Sequence, residues 1–437
     1  MMKVLRDWAE NKTDVFLVVG DIVCFVVAFW LALIIFVWGW PDQGLIYSYL
    51  PYFLPLFTIW LVVFFMAGLY NRQILMLKYK VPALVFYSTV INFVIAGLSF
   101  YFLGFEAVPI FFVSIYFLVL LFFLYVWRTV GRDFVLGGRN RKKAMIIGTG
   151  SEVHELKEDM NKNSKNGFIF VSSIDLKKID VIDVQEDIIS LIYSEDIRVV
   201  GIDLQQKGVE KILPHLYNLI FSKVRFVDVQ RLYEEFFERT PISALRYSWF
   251  LENLSMSPHT PYDSIKRGFD VILGILSVSL LLFIHPLVFV AQRFSGIKGS
   301  ALIKKEYIGR NNNPITLFKF RVSLPDGTVP SLGRFLQKSG IERFPFVWSV
   351  VKGQISFIGP YLKENDLEFS KKSDLPFYTI RYIIRPGIWS WSGSENFSLN
   401  NLSVSRIFSY DLYYLKNHSL VLDLRVLIAV FFSLFKK

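Results

Sequence analysis

The chain has 437 residues, of which 53% are hydrophobic and 17% aromatic, and its mean hydropathy is +0.42. These values fit an integral membrane protein and argue against an ordinary soluble one. The net charge of +11 does not indicate nucleic-acid binding, because the basic clusters adjoin apolar runs. Anionic lipid headgroups or phosphorylated substrates are the expected partners of such clusters. The single cysteine, Cys24, excludes a disulfide framework or a cysteine-based metal site within one chain.

Four apolar runs, each long enough to cross a bilayer, occupy the first third of the chain. They cover residues 15–38, 52–69, 83–103 and 109–127. Lys and Arg precede the first run, separate the second from the third and follow the fourth, whereas the other two connections contain neither. Because basic loops stay on the cytoplasmic side, this alternation predicts a four-helix transmembrane bundle over residues 1–142 with both ends inside.

A soluble α/β segment is predicted after this block, over residues 143–228. The short apolar strand 144–147 leads into Gly148-Thr149-Gly150-Ser151 and a helical pattern, which is how a Rossmann-like unit begins. Val153 stands where the third small residue of the fingerprint is expected. Two interpretations therefore stay open, a nucleotide-binding domain and a spacer domain that binds nothing. Further strands are predicted over 168–174, 199–204 and 224–227, with helices over 184–194 and 207–222.

A second long apolar stretch covers residues 269–294 and is also long enough to span a membrane. Pro286, which removes a backbone donor, is expected to break the helix in its second half. Lys266 and Arg267 precede the stretch, and Arg293 and Lys298 lie at its far end, so both ends are predicted to stay on the cytoplasmic side. The stretch is therefore predicted to form a re-entrant helix–break–helix hairpin. A fifth spanning helix is the alternative.

Several short motifs then follow in order. They are Lys266-Arg267 with Asp270, Lys319-Phe320-Arg321, the run from Lys352-Gly353 to Gly359-Pro360, and Arg385-Pro386-Gly387. In order and spacing they resemble the bacterial sugar transferase family, the monotopic polyprenyl-phosphate hexose-1-phosphate transferases. With the four apolar runs and the Rossmann-like segment, the chain resembles the large membrane-anchored branch of that family.

The resemblance implies a fold and a location. The fold is a multidomain membrane protein, with a four-helix transmembrane bundle, a Rossmann-like α/β domain and linker helices over 229–261. A re-entrant helix hairpin with a mostly α C-terminal transferase domain completes it, over 262–437. The implied location is a bacterial inner membrane, with a multi-pass anchor and cytoplasmic soluble domains.

The resemblance also implies a reaction, in which a sugar 1-phosphate moves from a nucleotide-diphosphate sugar to polyprenyl phosphate during surface polysaccharide synthesis. Membrane lipid, polyprenyl phosphate and the nucleotide-diphosphate sugar are the implied partners, and nucleic acid is not. A second copy of the chain or other glycan-assembly proteins are further candidate partners.

The family's catalytic pair is Asp-Glu, in which the Asp attacks the phosphate as a nucleophile and Mg²⁺ neutralises the diphosphate. In this chain Glu342 takes the nucleophile's place and Arg343 replaces the second acid. Glu is one methylene longer than Asp, and a misplacement of about 1 Å can cost on the order of a hundredfold in rate. Arg cannot ligate Mg²⁺, although its fixed fork of donors can bind phosphate. Mg²⁺ is thus implied only for an active enzyme, and no residue is assigned as a metal ligand.

Basic residues in and near the matched motifs are predicted to bind substrate phosphates. They are Lys319, Arg321, Lys352, Arg381 and Arg385. Two functions remain open at this stage: a divergent transferase that uses Glu342 and Arg343, and a catalytically inactive relative that acts as a scaffold for an active glycan-assembly enzyme. A lipid transporter is disfavoured, because few charged residues fall within the apolar runs.

Overall fold

The computed structural model describes most of the chain. The described residues are 12–67, 69–70, 81–102, 108–135, 142–162, 168–175, 188–206, 208–217, 219, 224–254, 260–297, 299–324, 326–364, 366, 375, 377–395 and 403–435. The chain divides into two compact units, Met1–Phe237 and Glu238–Lys437. The four-part division predicted from the sequence is finer than this and stays a prediction. The basic connection 70–80, which supports the predicted topology, lies almost wholly outside the described residues.

The first unit begins with four long apolar helices. They are α1 (Lys12–Val37), α2 (Gln43–Met66), α3 (Val81–Phe102) and α4 (Ile110–Val135). Their outward side chains are apolar, as at Val19, Val62 and Leu118, which are 53%, 53% and 64% exposed. An apolar helix exterior of this kind suits contact with lipid, where every backbone polar group must be satisfied within the helix. A helical N-terminal region with several candidate spans is therefore confirmed.

A buried ion pair joins the first and fourth of these helices. Arg128 on α4 donates from Nη2 and Nε to the carboxylate of Asp21 on α1, the latter bond measuring 3.1 Å. The Tyr70 hydroxyl donates to the same carboxylate at 2.7 Å, and Arg128 Nη1 donates to the Leu69 carbonyl at 2.8 Å. Because both charged side chains are almost fully buried, the pair fixes the relative position of α1 and α4.

Replacing Arg128 by Lys tests the ion pair. Lys keeps the positive charge but cannot reproduce the fork that reaches Asp21 and Leu69 together. We expect a loss of about 1.5–3 kcal/mol in the free energy of unfolding, the usual worth of a hydrogen bond to a charged group. Thermal unfolding in detergent micelles measures it. The matched control is Arg198→Lys, since the Arg198 side chain pairs with Asp196 at the surface, and an equal shift in both variants would contradict the assignment.

A parallel sheet forms the second part of this unit. Strands β1 (Lys142–Ile147), β2 (Phe168–Ile174), β3 (Val199–Ile202) and β4 (Arg225–Asp228) pair in the order β2-β1-β3-β4. Helices α5 (Ser151–Lys162), α6 (Ser190–Ser194), α7 (Val209–Tyr217) and α8 (Val229–Phe237) connect or follow them. All three pairings are parallel, and the two sheet faces are covered by separate apolar clusters. The predicted parallel α/β segment is confirmed.

The glycine-containing loop after β1 is occupied by a side chain of the same domain. The backbone amide of Thr149 donates to Gln206 Oε1 at 2.8 Å. In a Rossmann-type unit such amides are the donors offered to a phosphate. The contact favours the spacer interpretation over nucleotide binding.

The second unit mixes helices with short strands. Its helices are α9 (Tyr247–Asn253), α10 (Thr260–Phe294), α11 (Ser331–Lys338), α12 (Val347–Val351), α13 (Trp391–Glu395), α14 (Val404–Asn417) and α15 (Leu420–Phe435). Its strands are β5 (Leu302–Ile308), β6 (Pro314–Phe320), β7 (Ser356–Ile358) and β8 (Gly387–Trp389). β5 and β6 form an antiparallel hairpin, and β7 pairs with β8 in parallel. Its main apolar core combines residues of α12, β7, α14 and α15.

The long apolar helix corrects one detail of the sequence prediction. α10 runs without interruption from Thr260 to Phe294 and contains Pro286, so it is one helix rather than two helices separated by a break. A proline inside a helix costs one backbone hydrogen bond and commonly bends the axis, but the neighbouring residues can keep helical geometry. Many of its apolar side chains are exposed, including Leu276, Leu282 and Phe283. Its placement in a membrane as a re-entrant element stays a prediction.

Candidate functional site

Two motifs that are far apart in sequence meet where β7 pairs with β8. A Cβ at Gly359 would lie 2.5 Å from the Arg385 carbonyl, and one at Gly387 would lie 2.1 Å from the Gly359 nitrogen. Since real side chains do not tolerate such distances, only glycine lets the two segments approach this closely. The Gly359-Pro360 and Arg385-Pro386-Gly387 motifs therefore pack directly against each other, and their pairing fixes the position of the Arg385 backbone.

A pocket of about 90 Å³ lies beside the first turns of α10. Its lining carries four cations, from Lys266, Arg267, Arg310 and Arg385. Two carboxylates, Asp263 and Asp270, line it as well. The excess of positive charge suits an anionic ligand.

The three charged residues predicted at the start of the re-entrant helix hold this region together. Lys266 donates to Asp423 at 2.6 Å and to the Tyr414 hydroxyl at 2.9 Å. Arg267 donates to the carbonyls of the last two residues of α12, at 2.7 and 2.8 Å, and so caps that helix. Asp270 accepts from the backbone amide of Phe357 on β7 at 3.2 Å. The motif thus joins α10 to α12, β7 and α15.

Arg385 differs from these residues because, within the described ranges, no carboxylate or hydrogen-bond acceptor pairs with its side chain. It is half-buried, and burial together with the charges of Arg267 and Arg310 lowers the pKa of its guanidinium, although the carboxylates of Asp270 and Asp263 oppose that shift. Like charges held close together are unfavourable unless an anion balances them. This arrangement supports the predicted contact between Arg385 and a phosphate.

The segment with the predicted catalytic pair lies elsewhere in the unit and does not line the pocket. It is a 3₁₀ helix, Ile341–Phe346, that follows a left-handed turn at Gly340. Its apolar residues Ile341 and Phe344 pack into the core, whereas Glu342 and Arg343 remain 13% and 38% exposed. The two charged groups lie 3.7 Å apart, which makes them a loose ion pair rather than two metal-binding acids.

Glu364 is a functional candidate that sequence reasoning missed. Its carboxylate accepts from Lys319 at 2.5 Å and from the Tyr307 hydroxyl at 3.1 Å, with Lys305 at 3.4 Å. Burial alone would raise the pKa of this carboxyl, but the bonds from Lys319 and Tyr307 and the charge of Lys305 leave it below its ordinary value. No local motif marks the residue, since its neighbours come from the β5–β6 hairpin.

Tyr307 connects this cluster to the predicted catalytic pair. Burial and the charge of Glu364 raise the pKa of the Tyr307 hydroxyl, and the charges of Arg343 and Glu342 also act on it. The structure therefore brings Glu342, Arg343 and Lys319 into one neighbourhood around Tyr307, and their contact with substrate stays a prediction. Lys319 is already paired there with Glu364.

Arg381 has an environment that favours a structural role over the predicted phosphate contact. It is fully buried and pairs with Asp411 at 2.6 Å and with Asp366 at 3.4 Å. It also donates to the hydroxyl of Tyr378 and to the Tyr361 carbonyl, so its donors are directed into the core. Burial raises the pKa of Asp411 to about 6, although the charge of Arg381 opposes that shift.

The two remaining predicted phosphate ligands do not line the pocket. Lys352 lies over the ring of Trp348, with its Nζ 5.5 Å from the ring centroid. Arg321 donates from Nε to the Ser300 carbonyl at 3.0 Å. Their contact with phosphate stays a prediction.

The donor set around Glu342 does not fit a Mg²⁺ site. Mg²⁺ takes oxygen ligands, usually from one or two free carboxylates. Here Arg343 stands beside Glu342, and Glu364 is engaged by two lysines and a tyrosine. Among the residues that the structure describes, no group of three or more His, Cys, Asp or Glu side chains could hold a metal.

Comparison with known proteins finds a family that matches most of the second unit. Residues 261–437 match the family model of the bacterial sugar transferases. The chain is 27% identical over 188 residues to a UDP-N-acetylgalactosamine-undecaprenyl-phosphate N-acetylgalactosaminephosphotransferase of Aeromonas hydrophila, covering 39% of this chain and 44% of that relative.

A second relative matches more of the chain. It is an undecaprenyl-phosphate glucose phosphotransferase of Komagataeibacter xylinus, 24% identical over 331 residues, with 70% of this chain and 62% of the relative covered. The chain thus spans less than two thirds of the length of either relative. The resemblance inferred from the motifs is confirmed, because residues 261–437 match the bacterial sugar transferase family and both relatives are sugar phosphotransferases by name.

Proposed function

We propose that the chain transfers a sugar 1-phosphate from a nucleotide-diphosphate sugar to polyprenyl phosphate in surface polysaccharide synthesis. The observation that carries this proposal is the pocket in which Arg385 meets Lys266, Arg267 and Arg310 beside an apolar helix. A cationic pocket at this position is accessible to a phosphate of a soluble donor and to a phosphate of a membrane lipid. The Aeromonas hydrophila relative is named for UDP-N-acetylgalactosamine and undecaprenyl phosphate, and the Komagataeibacter xylinus relative for undecaprenyl phosphate and glucose, which supports the same classes of substrate.

Glu342 is the proposed nucleophile of this reaction. One of its carboxylate oxygens attacks the sugar-bearing phosphorus, and the bond from that phosphorus to the bridging oxygen breaks as the nucleoside monophosphate leaves. An oxygen of polyprenyl phosphate then attacks the same phosphorus. This second step frees the Glu342 carboxylate and yields the polyprenyl diphosphate sugar.

Arg343 and Lys319 are proposed to stabilise the negative charge that develops on the transferred phosphate. Arg343 is 38% exposed and bound only loosely to Glu342, so its guanidinium is free to turn towards a phosphate. Lys319 would move from Glu364 to the substrate, leaving Glu364 to Tyr307 and Lys305. No step of this proposal passes through a metal ion.

An inactive scaffold is the second candidate function. Two features favour it. Arg343 replaces the second acid of the family's catalytic pair, and Lys319 is paired with Glu364, so fewer carboxylates and cations are available to a substrate at the reaction centre. Release of nucleoside monophosphate from a panel of UDP-sugars, in membranes with and without polyprenyl phosphate, separates the two candidates. We expect release by the full chain, and no release above a Glu342→Ala background would end the transferase proposal.

The membrane arrangement is part of the same proposal. α1 to α4 form a transmembrane bundle with both ends in the cytoplasm, as the distribution of Lys and Arg indicates. α10, which is also long and apolar enough to span, enters the inner membrane and returns in this proposal. Because the helix is continuous through Pro286, its return requires a sharper bend at that proline in the bilayer than the uninterrupted helix has. This arrangement keeps Lys266 and Arg293, at its two ends, on the cytoplasmic side.

The path of α10 can be tested by labelling single cysteines. In a Cys24→Ala background, Ser264→Cys and Ser300→Cys place exposed thiols before and after the helix. We expect a membrane-impermeant maleimide to label both from the cytoplasmic side only, in inverted vesicles and not in spheroplasts. Labelling of the two positions from opposite sides would instead make α10 a fifth spanning helix.

A further inference from the structure

We propose that Lys305 and Lys319 form a lysine clamp that binds the diphosphate of the nucleotide sugar in place of a divalent cation. In the absence of the sugar nucleotide, the carboxylate of Glu364 occupies the anion position of this clamp. The proposal rests on the proposed function for the identity of the donor, and it adds Lys305 to the predicted phosphate ligands. The residues around Glu342 do not suit Mg²⁺, as described above, and the lysine clamp supplies positive charge beside them.

The β5–β6 hairpin places the two lysines on one face. In its antiparallel register Lys305 lies opposite Leu317, and Lys319 lies opposite Ile303. Alternate residues of a strand point to the same face, and cross-strand neighbours share it. Both lysine side chains therefore lie on the face that carries Tyr307, although they come from different strands.

The Glu364 carboxylate shows that the two ammonium groups converge on one anion. Lys319 Nζ lies 2.5 Å from Oε1 of Glu364, and Lys305 Nζ lies 3.4 Å from Oε2, so each oxygen has its own lysine. The Tyr307 hydroxyl donates to Oε1 at 3.1 Å. Carboxylate and phosphate oxygens accept the same charge-assisted hydrogen bonds. The lysine clamp can therefore hold a phosphate in the way it holds this carboxylate.

The charges of the neighbourhood favour a further anion. Lys305, Lys319 and Arg343 supply three positive charges. Glu342 and Glu364 supply two negative charges, so one positive charge is in excess after both carboxylates are counted. In phosphoryl transfer, positive groups placed on the phosphates provide much of the catalysis, and Mg²⁺ is one such group. Ammonium and guanidinium groups here take that role.

The lysine clamp is accessible to a soluble donor. Lys305 is 42% exposed and Glu364 is 34% exposed, whereas Lys319 is largely buried on the hairpin. A lysine ammonium has three N–H donors, so Lys305 can bind a phosphate and keep its contact with Glu364. Lys319 exchanges its carboxylate oxygen for a phosphate oxygen, and Glu364 stays with Tyr307 and Lys305.

The first test compares binding of the donor with and without a divalent cation. The full chain in detergent micelles is titrated with UDP-glucose and with UDP, which carries the diphosphate without a sugar. Each titration is followed by calorimetry, once in excess EDTA and once in excess Mg²⁺. We expect dissociation constants that agree within threefold between the two buffers. A larger gain in affinity with Mg²⁺, or no binding of either nucleotide in EDTA, would overturn the proposal.

Two variants assign the binding to the lysine clamp. Lys305→Gln and Lys319→Gln are each expected to weaken UDP-glucose binding in EDTA at least tenfold, because a hydrogen bond between charged groups is lost. Lys304→Gln is the matched control, since this exposed lysine of the same strand lies over the Phe318 ring, 5.7 Å from its centroid. Unchanged thermal unfolding shows that the variants fold. Equal affinities in Lys305→Gln and Lys304→Gln would remove Lys305 from the site.

Glu364→Gln distinguishes a resident anion from a purely structural ion pair. Gln keeps the shape of the side chain but lacks the charge that competes with the donor's phosphates. We therefore expect this variant to bind UDP-glucose at least threefold more tightly than the unchanged chain. If Glu364 only held the two lysines in place, its replacement would weaken binding, and that result would contradict its assignment as the resident anion.

Failure of the lysine clamp and failure of the proposed transfer give different results. Binding that is independent of Mg²⁺ and needs both lysines, without release of nucleoside monophosphate, would support the clamp and end the transferase proposal. Release that stops in EDTA, together with donor affinity that rises with Mg²⁺, would support the transferase proposal and end the clamp.

Discussion

Replacing Glu342 by Gln is expected to lower the release of nucleoside monophosphate by about a thousandfold or more, as removal of a nucleophile does in other enzymes. Gln has almost the same size and shape as Glu but offers no carboxylate to attack phosphorus. The Glu342 side chain is 13% exposed and already in contact with Arg343, so the amide fits without disturbing the fold. The rate is measured with the full chain in membranes that contain undecaprenyl phosphate.

Glu306→Gln provides the control for this experiment. Glu306 lies on β5, one residue before Tyr307, but its side chain is exposed and outside the cluster around Glu364. We expect this variant to keep the rate of the unchanged chain. A Glu342→Gln variant that releases nucleoside monophosphate as fast as Glu306→Gln would remove Glu342 from the mechanism. A wild-type chain that releases none, in cells whose glycan survives Glu342→Gln, would favour the scaffold function.

Replacing Arg381 by Met is expected to destabilise the second unit by about 3–5 kcal/mol, the usual cost of removing one partner from a buried ion pair. The substitution leaves Asp411 and Asp366 in the core without their cation, while Met fills most of the vacated volume. A buried, unpaired carboxylate is far less favourable than a paired one, because it has lost its hydration and gained nothing in exchange. This effect would identify Arg381 as a structural residue.

The loss should depend on pH in a defined direction. The pKa of Asp411 is about 6 in the folded chain and about 3.9 when unfolded, so this group stabilises the fold least once pH exceeds 6. Without the charge of Arg381, the pKa of Asp411 in the folded chain rises further. The free energy of unfolding then keeps falling with increasing pH up to a higher pH than in the unchanged chain. The variant should therefore be closer to the unchanged chain at pH 5 than at pH 8.

Thermal unfolding in detergent at the two pH values measures this difference. Arg334→Met is the control, since Arg334 is exposed on α11. A variant with unchanged stability at pH 8 and a raised KM for the nucleotide sugar would show instead that Arg381 contacts phosphate.

Much of the fold could be predicted because its elements are marked by local patterns. The four N-terminal helices follow from uninterrupted apolar runs, and the parallel sheet follows from short apolar strands separated by helical segments. Pro286 shows the limit of such rules. The sequence predicts a break there, but the helix continues because a single missing hydrogen bond does not outweigh the helical geometry of its neighbours.

The candidate site was harder to predict, because its residues are assembled by long-range pairing. Arg385 is placed beside the pocket by the parallel pairing of β7 with β8, and no local sequence pattern predicts that pairing. Glu364 acquires its role from Lys319 and Tyr307 on the β5–β6 hairpin. Arg381 is indistinguishable in sequence from a phosphate ligand, and only its burial against two carboxylates reveals the other role.

The most direct test of the account is the mass of the protein itself after exposure to donor alone. The full chain is incubated with a UDP-sugar that supports release, without polyprenyl phosphate, and intact-protein and peptide masses are then recorded. A gain equal to one sugar phosphate on the peptide containing Glu342, lost on addition of polyprenyl phosphate and missing in Glu342→Gln, is the predicted result. Lipid-dependent product formation with no such adduct on that peptide, or with the adduct on another carboxylate, would contradict the account.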